Sequence, residues 1–187
     1  MGFLDALLGR SKPVRPDLDR LFALPSAAVT LQAAAGFTPT GLGSVCFASV
    51  EGAEFARIQD EVQALLGTPV EFSQDAYGYT WMQARHAPED AAGLVNDLHA
   101  VNSALEGAGF GPQLLCSLMG FRNERGQRLA LVYLYKRGTF YPFAPKGDGG
   151  QKRDNPLELQ LRAMLADDLT VEEDLGRWFP VWGAPGL

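Results

Sequence analysis

The stretch SVCFASVEGAEFARIQDEVQALLG, residues 44–67, changes its period halfway along. The first seven residues are an apolar run rich in small, aromatic and β-branched side chains, which reads as a buried strand. Beyond Glu51, Phe55, Ile58, Val62, Leu65 and Leu66 recur at helical spacing while Glu54, Asp60 and Glu61 take the exposed face, and Gly67 supplies the stop.

Working outward, TPVEFSQ (68–74) and YGYTWMQA (77–84) read as two short strands joined through Asp75 and Gly78. Pro88 opens a second helix, PEDAAGLVNDLHAVNSALEG (88–107), with Glu89 and Asp90 in the first turn, where carboxylates favour a helix N-terminus, and Gly107 and Gly109 at its end. PQLLCSLMGFRN (112–123) and QRLALVYLYKR (127–137) flank the turn ERGQ as a hairpin. The order from residue 44 to 120 is β-α-β-β-α-β, the split βαβ or ferredoxin-like arrangement, with the last hairpin strand added. The expected class is α+β with an antiparallel sheet. Its first and fourth strands should be neighbours, bringing Cys46 near Cys116 as a consequence of packing.

Upstream, DLDRLFAL (17–24) reads as a short helix closed before Pro25, AAVTLQAA (27–34) as a strand, and GFTPTGLG (36–43) as a turn-rich loop. Downstream, Asn155, Pro156 and Glu158 stand as cap, first and third positions of a helix, and Thr170 with Glu173 repeats a capping box. The expected organisation is an amphipathic helix and linker over residues 1–20, then one α+β domain over 21–187 with C-terminal helices. In LALVYLY (129–135) both strand faces are apolar, so a sheet with helices on one side needs a second cover. The candidates are the strand near the N-terminus, the C-terminal helices with Trp178, Phe179 and Trp182, or a second copy of the chain in a homodimer.

The chain starts MGFLDALLGRSK, which as a helix gathers Phe3, Leu4, Leu7 and Leu8 on one arc with Asp5 and Lys12 opposite. Such a segment can lie on a membrane, dock on its own domain or grip a partner. The interruption at Asp5 and the bases that follow argue against a secretory signal. The 29 residues from Phe22 to Val50 carry no charge, yet their prolines and glycines argue against a lipid-exposed helix.

With 187 residues, 47% of them hydrophobic and 20% charged, the chain can build one sizeable core. Two cysteines in apolar runs read as reduced and buried, which suits the cytoplasm. The net charge of −6 is unevenly spread: residues 122–153 hold eight bases against two acids, leaving −12 on the remainder. Arg122, Arg125 and Arg128 begin this basic segment. An acidic chain overall argues against nucleic acid as a partner.

No motif names a reaction. His86 and His99 lie on different elements and outside any zinc spacing. GLGS (41–44) precedes a strand instead of a helix and reads as a turn, and GDGGQKRDNP (147–156) lacks the spacing of a phosphate loop. No catalytic, cofactor-binding or metal-ligating residue is assigned, and no enzymatic activity is expected. In YKRGTFYPFAPK (135–146), Lys136 and Arg137 stand beside Phe140, Tyr141 and Phe143. Bases interleaved with aromatics suit single-stranded nucleic acid, an acidic lipid headgroup or an acidic peptide, unless the aromatics fold back to close the core.

Together, MGFLDALLGRSKP, LPSAAVTLQAAAGFTPTGLGSVCFA (24–48) and LGRWFPVWGAP (175–185) resemble the actinobacterial phage-shock-protein-A-associated family PspAB, with a likeness that runs over most of the chain. The resemblance implies a cytoplasmic accessory protein of an envelope-stress response, peripheral to the inner face of the membrane. Its implied partner is a membrane-binding phage-shock effector or a membrane protease; the opening helix, aided by the basic segment, is expected to add a weak contact with an anionic membrane surface. It brings no catalytic residues. A chaperone-like or ligand-sensing domain, holding a peptide or small molecule on its sheet face, is the alternative.

Overall fold

A computed structural model describes residues 16–48, 51–66 and 70–187. A 3-10 turn, Leu18–Ala23, leads directly into α1, Leu24–Ala35; then come β1, Thr38–Ala48, α2, Ala53–Leu66, β2, Glu71–Gln74, β3, Tyr79–Arg85, and α3, Ala91–Leu105. The chain continues through β4, Leu114–Arg122, β5, Arg128–Leu134, β6, Thr139–Phe143, and α4, Asn155–Leu165. The six strands form one antiparallel sheet in the order β2-β3-β1-β4-β5-β6. This is the α+β class expected from the period changes. β1 lies beside β4 with Cys46 directly opposite Cys116, and both thiols are free and buried.

Four readings at the start of the domain are corrected. AAVTLQAA is helical, not a strand: Leu24, Ala27, Ala28 and Leu31 form a buried stripe at helical spacing, and alanine is the strongest helix former. Pro25 sits at the first positions of α1 and so begins a helix instead of closing one. Gly36, at φ 71°, ends α1 by donating its N–H to the Gln32 and Leu31 carbonyls. GFTPTGLG with its GLGS turn is largely strand, because a register shift between Pro39 and Gly43 lets β1 carry a proline. A Cβ on Gly43 would stand 2.9 Å from the Leu118 carbonyl oxygen, so glycine is what lets α3 and β4 close on β1.

Later boundaries shift too. Asp90 is the N-cap of α3 and not a first-turn residue, accepting from the Gly93 N–H at 2.9 Å. Asp154, not Asn155, caps α4. Thr170 and Glu173 start no helix: Phe140 donates to the Thr170 carbonyl and accepts from the Glu172 N–H, so Val171 lies along the β6 edge. TFYPF is a strand whose alternating pattern is interrupted in the sequence by Pro142.

The helices cover one face of the sheet, where Val45, Phe47, Met82, Met119, Leu131, Tyr133 and Phe140 join Leu24, Leu31, Leu98 and Leu161 in the larger core. The other face carries Cys46, Trp81, Leu118, Ala130, Val132, Tyr141 and Phe143, packed under Trp178, Val181 and Ala184. Of the proposed covers it is therefore the C-terminal segment that closes this face, as an irregular strap instead of helices. Phe179 is not part of that cover, being 59% exposed. Trp178 stacks on Tyr141 and donates to the Glu172 carbonyl at 3.0 Å, the Tyr141 hydroxyl donates to the Phe179 carbonyl, and Ser44 donates to Pro185 at 2.7 Å. Gly120 lies beneath Gly186, where a Cβ would come 1.8 Å from the Gly186 carbonyl oxygen.

Candidate interaction surface

The β4–β5 hairpin turns through Asn123, whose Oδ1 accepts from the Arg125 and Gln127 N–H groups, while Gly126 takes the left-handed position at φ 75°. This turn sets the register that pairs Arg122 with Arg128. Directly opposed side chains on one face of an antiparallel pair have Cβ atoms about 5 Å apart, and like charges there repel. Both arginines are exposed, as is Arg125 at the tip, and none of the three is ion-paired among the described residues. The sequence shows the three bases; only the register shows that two of them face each other.

Arg122 and Arg128 flank a groove of about 470 Å³. The start of β1, Thr38, Pro39, Thr40 and Leu42, lines it as well, and Pro88, Phe121, Gly186 and Leu187 complete the lining. Thr38 donates to the Arg122 carbonyl and Thr40 to the Gly120 carbonyl, each at 3.2 Å, which fixes that wall to the hairpin. The wall residues went unrecognised in the sequence because their segment reads as a loop. A proline and glycines beside a strand are the available signal for a bulge.

His86 braces the Pro88 side. Its backbone N–H donates to the Gly41 carbonyl at 2.8 Å, and its ring nitrogens reach Asp90 at 2.9 Å and Asp97 at 2.5 Å. Partial burial works against the charged ring, but hydrogen bonds and charge from Asp97 and Asp90 outweigh it and raise the His86 pKa above its ordinary value. A raised folded-state pKa means that this brace contributes fully below the ordinary histidine pKa of about 6.5 and is lost as pH rises through the folded value. Urea unfolding across that window is expected to show falling stability with rising pH, and His86→Gln should flatten the dependence. Identical slopes for the two proteins would contradict the brace.

The remaining bases divide. Lys146 and Lys152 lie at the same end of the sheet as the hairpin tip, since β6 returns Phe143 to Ala130 and Gln127 donates to Asp154. Lys152 is paired with Asp148, and Arg153 with Glu158. Lys136 and Arg137 lie beyond the other end of β5, about 20 Å away at the usual strand rise, so the basic segment does not form one surface. Arg137 is partly neutralised by Glu172, which also accepts from Thr139 at 2.7 Å and Arg177 at 3.3 Å. Burial opposes the Glu172 charge, yet these donors and the Asp174 N–H hold its pKa below the usual range.

Phe140, Tyr141 and Phe143 are no more than 1% exposed. They are core residues and not contact residues, because the alternating strand sends Phe140 under the helices and the other two under the strap. Phe3, Leu4, Leu7 and Leu8 lie outside the described residues. Among the described residues no helix is long and apolar enough to cross a membrane, and no acid, histidine and cysteine cluster could hold a metal ion. A second pocket, about 320 Å³, is lined by Arg153, Glu158 and Trp178, but there the arginine is committed to Glu158 and to the Trp178 carbonyl.

Fold and surface together define an α+β protein with a basic groove at one end of a sheet closed on both faces. The chain belongs to the family described as PspA associated protein B, which matches residues 1–186. Its name associates the family with PspA. No curated protein and no solved structure matches the chain.

Proposed function

We propose that this chain is a non-enzymatic accessory protein of the phage-shock, envelope-stress response, working in the cytoplasm at the inner face of the membrane. It contacts the membrane-binding effector through the basic hairpin end. The observation that carries this reading is the exposed set Arg122, Arg125 and Arg128, unpaired among the described residues and held by a rigid turn on a chain that is otherwise acidic. Uncompensated like charges cost stability within the monomer and repay it against an acidic partner. The cover over the second sheet face favours this reading over the ligand-sensing alternative, which needs that face open.

The test is capture of PspA by the intact chain, by an Arg122, Arg125 and Arg128 to Glu variant, and by a chain lacking residues 2–12, beside flotation with anionic and neutral vesicles. Loss of capture in the charge-reversed variant, with its unfolding curve unchanged, is the expected result. Undiminished capture would reject this surface. Loss on removing residues 2–12 alone would move the contact to Phe3, Leu4, Leu7 and Leu8.

A further inference from the structure

We propose that the groove between the β4–β5 hairpin and the start of β1 binds an extended acidic peptide segment of a partner protein. Arg122 and Arg128 would bracket a carboxylate, and a neighbouring apolar side chain would seat against Pro39, Leu42 and Pro88. The inference rests on the interaction reading above and specifies the ligand of that surface.

Three observations converge. The two guanidinium groups stem from directly opposed positions and have no ion-pair partner among the described residues, and a guanidinium fork matches a carboxylate in shape as well as charge. The groove volume of about 470 Å³ falls inside the range of roughly 300–1,000 Å³ typical of ligand sites. Its far wall sets apolar Pro39, Leu42 and Pro88 among Thr38 and Thr40, with prolines that lose no backbone freedom on binding. A free anion would leave that wall unused, whereas a peptide residue pair of one acid and one apolar side chain uses both. A membrane is the poorer occupant, because a flat anionic surface cannot enter a recess and would also face a chain that carries −12 outside residues 122–153. An inserted segment meets chiefly the local positive charge, the more distant acids being screened over a Debye length of about 8 Å.

Fluorescence anisotropy of the full chain with a labelled Glu-Leu-Glu-Leu-Glu peptide, and with its Gln-Leu-Gln-Leu-Gln counterpart, tests this. Binding of the acidic peptide alone is expected, weakened about tenfold or more by Arg122→Glu or Arg128→Glu, the scale of one lost charge-assisted pair. Thr38→Trp, which fills the groove at an exposed position without altering charge, should weaken it as well. Arg125→Glu, outside the groove lining, should change it much less, and circular dichroism and unfolding curves would show that all variants are folded. Equal binding of both peptides, insensitivity to Thr38→Trp, or binding to phosphatidylglycerol vesicles without peptide binding would overturn the proposal. If the peptide fails to bind while PspA capture still depends on the three arginines, the groove is wrong and the interaction reading stands. If peptide binding behaves as expected and PspA is not captured, the groove stands and PspA is not the partner that uses it.

Discussion

Cutting the chain before Thr170 is expected to leave a protein that does not fold to a stable monomer. The cut removes Trp178, Val181 and Ala184 and exposes Trp81, Leu118, Val132, Tyr141 and Phe143 on the second face of the sheet. A sheet with one bare apolar face has no stable partner but another such face, so aggregation and binding of an apolar dye should follow. The same site can be probed more gently. Trp178 is 5% exposed, stacks on Tyr141 at 5.9 Å between ring centres and donates to the Glu172 carbonyl. Trp178→Ala should lower unfolding free energy by about 3–5 kcal/mol, as large aromatic truncations in cores do, measured by urea denaturation. A truncated chain with an unchanged melting temperature would mean that the strap is not part of the core.

Glu158→Ala is expected to be nearly as damaging. Its carboxylate is 2% exposed and takes two donors, the Ala144 N–H at 2.9 Å and Arg153 Nε at 2.8 Å. Removing it orphans a buried N–H at the end of β6 and leaves a mostly buried guanidinium without its counter-charge, a loss of about 3 kcal/mol or more. Arg153 also lies over the Phe143 ring and donates to the Trp178 carbonyl, so disorder should spread from α4 to the strap. Glu158→Gln keeps an acceptor for the Ala144 N–H and should cost less, because only the charge is lost. Equal melting temperatures for the alanine and glutamine variants would show that the lost ion pair with Arg153 carries the whole cost and that the bond to the Ala144 N–H adds nothing.

The elements legible in advance were those whose information is local. Helix α2 shows its stripe of Ile58 and Val62, α3 its stripe of Leu94, Leu98, Val101 and Leu105, and the β4–β5 hairpin its turn residues between two apolar runs. Such patterns arise because a helix or strand must bury one recurring set of side chains wherever it packs. Helix α1 was misread where Val29, Thr30 and the flanking apolar residues imitate a strand over a short window. The four-residue spacing from Leu24 to Ala28, which decides for helix, extends beyond that window.

The sequence by itself determined the class of the fold, the neighbourhood of Cys46 and Cys116, and the need for a cover over the second face of LALVYLY. Each of these follows from the period and order of apolar residues along the chain. Which segment supplies the cover, and which bases form a surface, were decided only by tertiary structure. Trp178 meets Tyr141 across 37 positions of sequence, and Arg122 faces Arg128 while Lys136 and Arg137 are carried to the far end of the sheet. A charge or an aromatic ring carries no local mark of its distant neighbour. Strand register and the path of the strap, set by packing over the whole core, assign those neighbours.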